Sequence, residues 1–76
     1  MELMEKLDRY IEMEYNCILR MPANTDTFKS HVFGAIEMVM LLDPEKEEIL
    51  EKKWDDFEKR VDSTPMMWYN KDVERS

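Results

Sequence analysis

Residues that break a regular backbone are scarce in this chain: Gly34 is the single glycine among 76 residues, and the three prolines, Pro22, Pro44 and Pro65, fall between stretches of helical periodicity. Proline is tolerated in the first turn of a helix and ends one from within, so these positions divide the chain into helices. Across residues 2–21, Leu3, Met4, Leu7, Tyr10, Ile11, Cys17, Ile18 and Met21 recur at three- and four-residue steps and share one stripe. Residues 22–25 form a short connection, and Asn24, Thr25 or Asp26 offers a capping oxygen to a second helix, which runs to about Leu42. That helix carries Phe28, Val32, Ala35, Ile36, Val39 and Leu42 on one face, with Phe33, Met38, Met40 and Leu41 around it, and so reads as the central element. Asp43-Pro44 sets a capping acceptor before a proline and starts a third helix, where Leu50, Trp54, Phe57 and Val61 form a narrow stripe. Trp54 and Phe57 are the expected core anchors. The expected fold is all-α: a compact three-helix bundle of residues 1–62, with residues 63–76 a short C-terminal helix or tail packed across it.

A core of this size supplies only about 3–5 kcal/mol and usually needs a further staple. One cysteine, Cys17, and one histidine, His31, rule out an internal disulfide and a Cys/His zinc cluster within one chain. A second protein chain is therefore a natural staple. Eighteen acidic against eleven basic side chains give a net charge of −7, which repels nucleic acid and anionic lipid and favours a protein partner with a basic surface. The N-terminal stretch carries charges and lacks an apolar signal core, no run approaches the length of a membrane span, and the lone thiol suits a reducing compartment. The chain is expected to be cytoplasmic.

Catalytic and cofactor chemistry finds little to work with. Cys17 and His31 are the one conceivable nucleophile and base, and they lie on different helices, where an inert buried thiol and a histidine at a core margin are the simpler reading. One glycine excludes a glycine-rich phosphate loop, and no ExxH or DxDxDG spacing organises carboxylates around a metal. No enzyme activity, cofactor or metal is expected.

Glu14 is the most informative residue, because it projects into the middle of the first helix's apolar stripe. A carboxylate there must be paired or reach a wet edge: His31, a tyrosine or a helix amide could hold it, a basic or hydrogen-bonding group of a partner could meet it at an interface, or it could serve as a catalytic acid. Gly34, inside the second helix, marks either a close helix crossing, a tolerated weak point or a notch for a partner. The acidic arc Glu5, Asp8 and Glu12 reads as solvated surface or as a partner-binding face whose carboxylates mimic phosphates. Met66, Met67, Trp68 and Tyr69 form the other candidate contact patch, either closing the bundle's own end or reaching a second copy. Reversing Glu5, Asp8 and Glu12 to lysine is expected to cost little stability, as for exposed positions in general.

Tyr10-Ile11-Glu12-Met13-Glu14-Tyr15, Phe33-Gly34-Ala35-Ile36-Glu37 and an acidic third helix bearing Trp54 and Phe57 resemble small accessory proteins of phages and mobile elements of Gram-positive bacteria. That class includes anti-CRISPR proteins that occupy the basic nucleic-acid channel of an effector complex. The resemblance implies a stoichiometric inhibitor or adaptor, excludes the tail from Pro65 onward and pins no functional residue. The expected function is a non-enzymatic protein-binding module, with inhibition of a nucleic-acid-handling host-defence protein its sharpest form. The alternative is a structural homodimer with the C-terminal tail in its interface.

Overall fold

The computed structural model describes residues 2–64, and they form the expected all-α bundle of three helices: α1 (Leu3–Arg20), α2 (Thr25–Leu42) and α3 (Glu47–Ser63). The expected contact patch of Met66, Met67, Trp68 and Tyr69, and the short fourth helix, lie outside the described residues.

Each linking proline does more than end a helix. Pro22–Asn24 and Pro44–Lys46 are single 3-10 turns that run directly into α2 and α3, so only Met21 and Asp43 leave the helical path. These turns are closed by backbone bonds, Asn24 N–H to Met21 O at 2.9 Å and Lys46 N–H to Asp43 O at 3.0 Å. The side-chain caps expected from Asn24 and Asp43 are accordingly not made. Thr25 donates its hydroxyl backwards instead, to Pro22 O at 2.6 Å. A proline-led turn thus takes over what a capping oxygen otherwise does, since its missing N–H leaves one orphan donor fewer. At the start of α1, the Glu2 amide donates to Glu5 Oε1 at 3.4 Å, one half of a capping box.

The core is one cluster drawn from all three helices: Leu7, Ile11 and Ile18 of α1, Val32, Ile36 and Val39 of α2, and Leu50, Phe57 and Val61 of α3. Ile18, Val32 and Leu50 have no exposed surface. α2 is central, packing against both neighbours, whereas α1 and α3 meet mainly through long side chains. The ion pairs Asp8–Lys53 and Glu12–Arg60 and the Tyr15–Thr64 hydroxyl contact rise together along both helices, so α1 and α3 are parallel and α2 is antiparallel to them.

Four residues placed on inward stripes need correction, beginning with Leu3 and Met21 at the two ends of the first stripe, 45% and 48% exposed. Trp54 is only half-buried, because it sits at the rim between α2 and α3 with its ring edge-on to Phe33 at 5.2 Å. Phe57 is the true anchor, 2% exposed. Leu42, placed on the core face by periodicity, is 68% exposed, because the chain leaves the helical path one residue later at Asp43. Four-residue spacing on α3 sets Asp55 beside Lys59, and that pair forms at 3.0 Å. Lys52 turns to Asp56 rather than Glu48, and Arg60 leaves α3 altogether for Glu12.

Candidate functional site

Glu14 is 5% exposed, and its Oε1 lies 2.8 Å from His31 Nδ1 on α2. The His31 side chain is 47% exposed, so one ring face of the pair reaches water while the carboxylate stays inside. Phe28 meets the imidazole edge-on at 6.0 Å and fixes its tilt. The Tyr10 phenol is pushed above its ordinary value, first by burial, then by its hydrogen bond to Glu14 and the charge of that carboxylate, with Cys17 adding a smaller push. These groups clasp α1 to α2. With Nδ1 committed to Glu14, His31 serves the carboxylate; Cys17 is half-buried and forms no disulfide. Among the described residues no three His, Cys, Asp or Glu side chains converge on a metal position.

Two carboxylates of the α1 arc are already engaged within the molecule. Asp8 accepts from Lys53 at 2.6 Å, and Glu12 accepts both Arg60 amino groups at 2.6 and 2.7 Å. The Arg60 guanidinium also lies 3.8 Å from the centre of the Tyr15 ring, whose hydroxyl meets Thr64 Oγ1. Glu5 contributes to the helix cap. Lysine at all three positions therefore removes two bridges between α1 and α3 and sets like charges beside Lys53 and Arg60, so the small stability cost expected for solvated positions does not apply here. Forked arginine geometry of this kind is the strong form of a surface pair, yet exposed pairs still contribute under about 1 kcal/mol.

Glu12 titrates below the ordinary carboxylate range, foremost because Arg60 donates to it and further through the charge of Arg60. A lowered folded value means that the stabilisation is present above the unfolded carboxyl's pKa and is lost as pH falls through the folded one. Glu12→Gln is therefore expected to lower stability by under about 1 kcal/mol at neutral pH and to match the parent in acid. Urea melts at both pH values check this, and a gap that persists in acid contradicts it.

The uncompensated charge lies elsewhere, where α2 turns into α3. Glu37, Glu45, Glu47, Glu48 and Glu51 are all exposed, and none is ion-paired among the described residues. Of the nearby cations, Lys52 holds Asp56 and Lys53 holds Asp8, and Lys46 of the connecting turn makes no ion pair among the described residues. Beside these carboxylates stand Leu41, 78% exposed, and Leu42 at the end of α2, whereas the exposed Met38 and Ile49 are in register with His31 and Lys53 on the sides that face α1. A cleft beside the carboxylates is lined by Phe33, Ile36, Glu37, Met40, Glu51 and Trp54, with about 250 Å³ of space. Carboxylates along the rim of an apolar floor attract a surface bearing both cations and apolar side chains.

Gly34 is exposed, and nothing lies within 4 Å of where a β-carbon would stand, so no helix crosses it. It opens a further pocket of about 380 Å³ between α2 and α3. No helix of the described residues is long and apolar enough to cross a membrane. Known protein families, curated proteins and solved structures offer no match to the chain.

Periodicity places Leu41 and Met38 away from the core stripe of α2, and the run Glu45, Glu47, Glu48 is plain in the sequence. Sequence alone does not join these surfaces, because Asp43-Pro44 fixes where α3 starts and not which side chains the turn brings together.

Proposed function

We propose that this chain is a non-enzymatic protein-binding module, and that its α2–α3 hairpin end takes a basic amphipathic segment of a partner protein. The observation that carries this reading is the exposed pair Leu41 and Leu42 at the end of α2, beside five carboxylates that make no ion pair among the described residues. Apolar area supplies affinity of about 25 cal/mol per Å² removed from water, before the cost of association. The carboxylates select the partner's sign and repel another copy of the same surface. That repulsion favours a different basic chain over the symmetric homodimer. In its sharpest form the partner is a nucleic-acid-handling defence protein, with the hairpin carboxylates standing where phosphates would bind; the surplus of seven negative charges supports this version.

The test uses a defined probe, an amphipathic helical peptide of leucine and lysine, titrated by calorimetry. Leu41→Ser with Leu42→Ser should leave the melt unchanged, because both side chains are largely exposed, and weaken binding at least tenfold. Lysine at Glu47, Glu48 and Glu51 should abolish it. Raising salt to about 1 M, where screening acts within about 3 Å, should weaken the parent's binding strongly. Equal affinity of the double serine variant would reduce the surface to unspecific charge and end the proposal.

A further inference from the structure

We infer that the pocket beside Gly34 is the seat of the chain's own Met66-Met67-Trp68-Tyr69 segment, folded back within the same molecule. The pocket is lined by Asp26, Lys29, Ser30, Phe33, Gly34 and Trp54 and holds about 380 Å³. Neither the exposed leucines nor the five carboxylates of the hairpin end line it; Phe33 and Trp54 are shared with the cleft beside that end, so the inference is tested at Gly34 and Trp68, which the proposed partner site does not use.

Reach is the first argument. The Lys29–Glu58 ion pair, 3.6 Å long, ties α2 to α3 beside this pocket. Glu58 and Trp54 precede Thr64 by six and ten residues, about 9 and 15 Å along a helix axis. Residues 65–68, extended, span up to about 14 Å. Trp68 can therefore reach the pocket from the end of α3. Along α3, Glu58 and Asp62 follow one turn apart, on the side that faces Lys29 of α2.

Chemistry is the second. The floor is aromatic, with Phe33 and Trp54 edge to face at 5.2 Å, and Gly34 leaves the helix backbone bare where any other residue would fill the space. An indole and a phenol entering such a site each need a polar partner for N–H or O–H, and Asp26, Lys29 and Ser30 stand on its edge. Methionine fits the irregular remainder.

A tether this short holds the segment at roughly millimolar effective concentration. A second copy, carrying the same net charge of −7, must overcome repulsion to bring its own.

NMR on the full chain reads the contact without any variant. Nuclear Overhauser effects are expected from the Trp68 ring to Phe33 and Trp54, and they should vanish from an intermolecular-filtered experiment on mixed labelled and unlabelled protein. In a Trp54→Phe background, Gly34→Leu should fill the pocket and move Trp68 emission to the red, with helical circular dichroism retained. Trp68→Ser should lower the melting temperature by about 4–8 °C. Purely intermolecular effects would assign the pocket to a second copy and overturn the inference, as would their absence or an emission that ignores Gly34→Leu.

Discussion

Phe57→Ala is expected to leave most of the protein unfolded at room temperature. The ring is 2% exposed and lies against Trp54 at 5.8 Å between centroids, within a cluster fed by all three helices. Truncating a buried phenylalanine costs about 3–5 kcal/mol, from the apolar area returned to water and the cavity left behind. A domain of this size has only a few kcal/mol in total. Trp54→Ala should cost distinctly less, because that ring is half-buried at a groove where water and neighbouring side chains can take up the space. Thermal melts followed by circular dichroism on both variants decide the order. A Phe57→Ala protein that melts within a few degrees of the parent, or below which Trp54→Ala falls, would show that the anchor has been misplaced.

The second large effect comes from the clasp between α1 and α2, and it depends on which half is removed. His31→Ala leaves the Glu14 carboxylate inside the bundle without the imidazole 2.8 Å away, and should cost about 1–3 kcal/mol. Glu14→Leu removes the buried charge itself and keeps the volume, so it should be close to neutral or stabilising. In the Glu14→Leu background, His31→Ala should then be nearly silent, since the exposed imidazole no longer has a charge to hold. Denaturant melts on the four proteins of this cycle give the coupling directly. An equal His31→Ala cost in both backgrounds would mean that the histidine acts only through Phe28 packing and not through the carboxylate.

Much of this arrangement is legible in the order of residues. Glu14 stands out because a carboxylate interrupts an otherwise apolar stripe, and His31 is among the few groups that could answer it. The acidic arc of α1 is equally visible, but its meaning changes once α3 lies beside it: Asp8 and Glu12 meet Lys53 and Arg60, residues more than forty positions away. Gly34 reads the same in sequence whether a helix crosses it or a pocket opens beside it, and the fold selects the pocket.

The sequence by itself determined the three helices, their proline-led joints and most of their inward faces. Helical periodicity and the backbone limits of proline act over a few residues and need no partner to be expressed. Tertiary structure decided which carboxylates are neutralised and where uncompensated charge collects. Pairing across helices depends on their relative rotation and offset, which the three- and four-residue steps leave open. The same offset sets Phe33 against Trp54 and leaves Leu41 and Leu42 exposed at the hairpin end beside five carboxylates that make no ion pair among the described residues.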